Sequence, residues 1–213
     1  IGGGTNNTLG NFLDDVSVRL MECEYVQQGG SCNLWQEKDL EQGDHFWDFY
    51  DIKPGDYGTN LISLHPYTND SYACLFTHNL EDLENSLLSL ETEAGDTGSP
   101  VGELSPLLKL FAWEDDGDGL YETGEATLVP YNTPVQTEIL PMSLSGSSTS
   151  YVGIAWCAGQ QNVSETNITC DGSGNHNQAQ TDSVTLDFTA YAVQQRNNSQ
   201  FSCTDVVNSY RNP

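Results

Sequence analysis

Short segments in which apolar and polar residues alternate recur along the chain, separated by stretches rich in turn formers. "DDVSVRLMECEY" sets Val16, Val18 and Leu20 on one face. "TNLISLHPY" follows a turn at "KPGD", and "SYACLFTH", "PLLKLFAWED" and "TSYVGIAWC" continue the series. In "DSVTLDFTAYAVQQ", Val184, Leu186, Phe188, Ala190 and Ala192 alternate with Thr185, Asp187, Thr189, Tyr191 and Val193. A period of two marks strands with one buried face. Strands joined by turn-rich stretches predict an all-β fold, an antiparallel β-sandwich in which each sheet hides one face.

One segment breaks the rhythm. In "HNLEDLENSLLSLETEAGD", Leu80, Leu83, Leu87 and Leu90 recur at helical spacing behind Asn79, a candidate N-cap, so a short helical excursion is expected there. "LSGSSTS" and "CDGSGNHNQAQ" read as long loops. No internal repeat or interdomain linker interrupts the chain, which divides into an N-terminal segment, 1–15, and a single sandwich domain, 16–213.

The cysteines constrain this layout. Gly29 and Gly30 suggest a turn that lets Cys23 and Cys32 staple a hairpin, Cys157 and Cys170 close a second local loop, and Cys74 is left to tie an interior strand to Cys203 near the C-terminus. Other pairings are open; nearness in sequence favours this one. Five N-x-S/T sequons, at Asn6, Asn69, Asn162, Asn167 and Asn197, join the even cysteine number in pointing to an oxidising exterior and a glycoprotein. Ile1 is not a start methionine, so the chain reads as a mature secreted form. No apolar run reaches the roughly 18 residues of a membrane span.

Thirty-one acidic residues against six basic ones give a formal charge of −25. A surface so negative excludes nucleic acid as a partner and favours bound divalent cations or a salty habitat. "EDDGDGLYETGE" focuses that expectation. With Glu114 at position 1, Asp116 falls at 3, Asp118 at 5, Gly119 at 6, Leu120 at 7 and Glu125 at 12, the register of an EF-hand loop. Alternate carboxylates on a tight turn, the Leu120 carbonyl and a late Glu would supply hard oxygens for a structural Ca²⁺. The competing reading is a solvated acidic hairpin.

"FYDIKPGDYGTNLISLHPYTNDSYACL", "GELSPLLKLFAWEDDGDGLYETGE" and "GIAWCAG", followed by "TCDGSGNHNQAQTDSVTLDFTAYAVQQRNNSQFSC", resemble in content and order the TasA/camelysin-type family of secreted proteins. The resemblance covers roughly Phe49 to Cys203. It implies a jelly-roll-like β-sandwich, exported and polymerised with identical subunits into a cell-surface filament or pilus of biofilm or cell-contact type. It also implies donor-strand complementation, in which the N-terminal segment of one subunit completes a sheet of the next. Here that segment is "IGGGTNNTLGNFLDD", with Leu9, Phe12 and Leu13 as its apolar knobs, although it is poor in β-branched residues.

Some camelysin relatives are classed as metalloproteases, but His45, His65, His78 and His176 are scattered and none belongs to an H-E-x-x-H motif. No G-x-S-x-G occurs either. Glu91, Glu93, Asp96 and Glu103 could form a glycosidase pair; in a chain this acidic they read better as a solvated or cation-binding surface. Trp35, Trp47, Trp113 and Trp156 keep a monomeric adhesin or carbohydrate-binding module open as the alternative, against core packing. The expectation is a non-enzymatic structural subunit.

Overall fold

The computed structural model describes residues 17–26 as backbone and residues 52–98, 100–174 and 176–212. Leu9, Phe12, Leu13, Asn6, Cys32 and the Cys23–Cys32 pairing, His45, Trp35 and Trp47 lie outside what it describes. Ten strands dominate: β1 (Ser17–Val26), β2 (Tyr57–His65), β3 (Ser71–Leu83), β4 (Leu108–Asp115), β5 (Thr127–Pro134), β6 (Glu138–Leu144), β7 (Ser150–Ala158), β8 (Gln160–Ser164), β9 (Asn167–Asp171) and β10 (Ser183–Gln194). Two short α-helices, α1 (Ser89–Ala94) and α2 (Cys203–Arg211), complete the order among the described residues.

A five-stranded sheet, β1-β2-β7-β4-β5, faces a three-stranded sheet, β10-β3-β6, and every pairing is antiparallel. The fold is therefore the all-β sandwich that the alternation predicts. Ile62, Leu75, Leu110, Ile139, Ile154 and Phe188, one from each of six strands, meet in the core between the sheets. On β10 the expected row of Val184, Leu186, Phe188, Ala190 and Ala192 packs onto it. In register, Val18 of β1 stands opposite Leu64 and Leu20 opposite Ile62.

Both outer faces carry further cover, which is why several strands read as continuous apolar runs. Outside the five-stranded sheet, Phe111, Trp113 and Ala155 are roofed by Tyr121 of the acidic turn and by Val163 and Ile168 of the β8–β9 hairpin. Gly153 makes room for this second core: a Cβ there would come 2.1 Å from Cε2 of Trp113. Outside the three-stranded sheet, α2 packs Val207 against Phe76 and Cys74. Its N-cap Ser202 accepts the Asp205 N–H at 3.3 Å, and Arg211 in its last turn pairs with Glu138 at 3.7 Å. Cys74–Cys203 pins this helix to β3, and Cys157–Cys170 pins the hairpin to β7, with Cα separations of 5.7 and 5.5 Å.

The helical excursion is shorter and later than its leucines suggest. Asn79 is not an N-cap: β3 continues to Leu83, and Asn79 adopts φ 52 inside it. The register slips between Thr185 and Asp187 opposite this point, so β3 carries a bulge there. The Asn79 amide fixes it by donating to Asp187 Oδ2 at 2.8 Å. Leu83, Leu87 and Leu90 are exposed, and the helix forms only over six residues, Ser89–Ala94.

Candidate functional site

The acidic turn joins β4 to β5, and strand alternation decides which of its carboxylates points inward. Asp115 lies on the same side as the buried Trp113, and its Oδ2 accepts the indole N–H at 2.9 Å. Its Oδ1 accepts the N–H groups of Gly117 at 2.6 Å and Gly119 at 3.1 Å. Glu125 closes the turn from the other end, accepting from Asp116 N–H at 3.2 Å and Glu122 N–H at 2.7 Å. Asp115, Asp116 and Glu125 each offer an oxygen within 4.8 Å of the others.

Two of the five expected ligands, Asp116 and Glu125, are thus brought together, with Asp115 as the third carboxylate. Glu114 does not join them: one residue earlier on the strand, it is exposed on the opposite face. Asp118 instead accepts the Leu120 N–H at 2.8 Å, and Leu120 is exposed. The chain has used these oxygens to satisfy turn amides, which is what an Asx-rich loop does without an ion. Burial raises the Glu125 pKa, the two N–H bonds oppose the rise, and the charges of Asp115 and Asp116 add to it.

A second cluster sits where β3, α1 and the segment before β10 converge. The Glu91 side chain reaches back to the Leu88 N–H and accepts Thr181 Oγ1 at 3.2 Å. Gly95, at φ 101, ends α1 and turns the chain so that Asp96 is buried. Register places Ser183 opposite Leu83, so Asp182 arrives beside Glu84. Oxygens of Glu84, Glu91 and Asp96 lie within 4.8 Å of one another, and so do those of Glu84, Glu103 and Asp182. Glu93, on the other side of α1, is exposed.

Unlike the acidic turn, this basin is under-supplied with donors. Both carboxylate oxygens of Glu84, and one each of Asp96, Glu103 and Asp182, are buried with no hydrogen-bond partner. Asp96 keeps one bond, from Gly98 N–H at 2.9 Å, and Asp182 one, from Glu103 N–H at 2.5 Å. Burial first, and then neighbouring carboxylates, push the pKa values of Glu84, Glu103 and Asp182 up; the Glu103 N–H partly offsets the rise at Asp182.

The three described histidines belong to neither cluster. His78 is buried with Nε2 2.9 Å from Thr189 Oγ1, His65 lies between Ser63 and Thr149, and His176 is 3.2 Å from the Ser173 carbonyl. Trp113 and Trp156 are buried in separate cores. Asn162, Asn167 and Asn197 are exposed and Asn69 half-buried, so these four sequons are at the surface. Among the described residues no helix is long and apolar enough to cross a membrane. The two disulfides are consistent with a secreted or extracellular protein. No protein-family model matches the chain, and no curated protein matches it.

Proposed function

We propose that this chain is a structural, non-catalytic subunit of an extracellular filament or pilus, joined head to tail by a donated β-strand. The observation that carries the reading is the unequal width of the two sheets. Among the described residues the three-stranded sheet is two strands narrower than its partner, and β10 pairs on one side alone, with β3. Val184, Leu186, Ala190 and Ala192 on that strand are only partly buried where they meet the core. A strand added along β10 gains backbone hydrogen bonds and covers this row, which is β-augmentation. Head-to-tail use of one such edge extends into a fibre rather than closing a ring.

In this reading the segment 1–15 is the donor, and the motif order that resembles the TasA/camelysin-type family supports the same assignment. The acidic turn then serves as a weak calcium site, because an ion must compete with backbone N–H groups for Asp115 and Glu125. Affinity of about 10⁻⁴–10⁻³ M, typical of extracellular modules, suffices outside the cell. The buried Trp113 and Trp156 leave the carbohydrate-binding alternative without a described tryptophan face for stacking.

Negative-stain microscopy of the secreted chain tests the proposal. Uniform fibres are expected from the full chain and none from a variant lacking residues 1–14; the free 1–14 peptide should inhibit growth by occupying the same edge. Normal fibres from the deletion variant, or a monodisperse monomer at high concentration from the full chain, would overturn it.

A further inference from the structure

The basin formed by Glu84, Glu91, Asp96, Glu103 and Asp182 gathers five carboxylates with few donors among them. Buried carboxylate oxygens are normally paired with donors or with a cation. Here five such oxygens accept from no N–H or hydroxyl donor, one of them on Asp96, a residue only 6% exposed, and Glu84 and Asp96 pair with each other only if a proton is held between them. The geometry points to a structural Ca²⁺ site in this basin, distinct from the acidic turn and independent of the filament reading.

Several features fit that ion. Ca²⁺ binds oxygens at about 2.3–2.6 Å, so two ligands on opposite sides of one ion stand about 4.6–5.2 Å apart. Each triad has its oxygens within 4.8 Å of one another, and Glu84 belongs to both, so an ion beside Glu84 has three carboxylate ligands in either triad. The ligand set is all carboxylate, with no imidazole or thiolate, which suits a hard cation over zinc or copper. Gly102 also leaves the space open: a Cβ there would lie 2.9 Å from Asp182 Oδ2 and from the Leu83 carbonyl. The Glu103 N–H holds Asp182 by one oxygen, and the Thr181 hydroxyl and the Leu88 N–H each hold one of the two Glu91 oxygens, which orients the carboxylates without neutralising them.

An ion here would join four separate parts of the chain: the end of β3, helix α1 with its C-terminal turn, the loop carrying Glu103, and the entry to β10. It would also outcompete the acidic turn, where Asp115 and Glu125 are already engaged by backbone donors.

Equilibrium dialysis of the calcium-stripped full chain against radioactive Ca²⁺ tests the site. Wild type should hold one ion per chain at concentrations at least tenfold below those that fill the acidic turn. Glu84→Gln with Asp96→Asn should lose that ion, whereas Asp116→Asn with Glu125→Gln should keep it. The basin variant should melt no lower than stripped wild type in calcium-free buffer, since two facing charges are gone, and should gain nothing when calcium is added. If it fails to fold, Glu103→Gln alone decides, with an expected affinity loss of tenfold or more. Wild type that binds no calcium below millimolar concentrations, or a folded basin variant or Glu103→Gln that binds like wild type, would overturn the assignment.

Discussion

Glu114 and Asp115 are chemical near-equivalents side by side, and the pleat of β4 gives them opposite surroundings. Asp115 holds the Trp113 indole and two turn amides, whereas Glu114 faces solvent. Removing a carboxylate that satisfies three donors exposes the desolvation penalty of each. Asp115→Ala is therefore expected to cost about 2–4 kcal/mol, and Glu114→Ala to stay within about 0.5 kcal/mol, as surface changes do. Urea denaturation of the two variants measures the contrast. A Glu114→Ala loss as large as that of Asp115→Ala would mean that the turn uses the EF-hand register after all.

At the scale of elements, the disulfides join layers rather than neighbouring strands of one sheet. Cys74–Cys203 closes a separation of 129 residues and fastens α2 over the three-stranded sheet; Cys157–Cys170 closes 13 and fastens the β8–β9 hairpin over Trp113. Chain-entropy arguments put the first closure at about 5 kcal/mol and the second at about 3 kcal/mol. Replacing Cys74 and Cys203 together by Ala should thus lower the melting temperature more than replacing Cys157 and Cys170. Thermal melts that rank the pairs in reverse would show that hairpin docking matters more than loop length. The alternating strands β2, β7 and β10 were legible in the sequence because period two is a local signal. β8 and β9, which the sequence reading treats as a loop, are short strands that roof the second core. Helix α2 escaped because nine residues carry little periodicity and its stability comes from Phe76 and the disulfide beneath it.

For the whole molecule, a charge of −25 and a carboxylate basin act in the same direction on pH dependence. The raised values of Glu84, Glu103 and Asp182 mean that the folded state holds protons more tightly than the unfolded chain. Their contribution to stability is present below the unfolded carboxylate range, about pH 4, and is lost as pH rises through the elevated folded values. The neighbouring charges of Asp82, Glu91 and Asp96 enforce the same sign. Asp171, lowered by the backbone and side-chain bonds of Ser173, acts in the opposite sense but is a single exposed group. Calcium-stripped protein should therefore melt at a higher temperature at pH 5.5 than at pH 7.5, and millimolar calcium should narrow the gap by stabilising the pH 7.5 form. Differential scanning calorimetry at the two pH values checks this; a stripped protein that weakens on acidification would contradict it.

What the sequence determined by itself was local or compositional: the half-buried strands, the nearest-neighbour cysteine pair 157–170 with 74–203 left over, and the strong net negative charge. It also marked Asp116 and Glu125 of the acidic turn, because their spacing within one short loop is visible without a fold. Only the tertiary structure decided which carboxylates meet without donors. The sequence already grouped Glu91, Asp96 and Glu103 as a solvated or cation-binding surface, but Glu84 and Asp182 lie almost half the chain apart and no spacing rule joins them to that group. The antiparallel register of β10 on β3 sets Ser183 against Leu83 and so delivers Asp182 to Glu84, while the left-handed Gly95 turns Asp96 inward. Long-range strand pairing, which sequence periodicity does not encode, is the physical reason that the more demanding cluster emerges only in three dimensions.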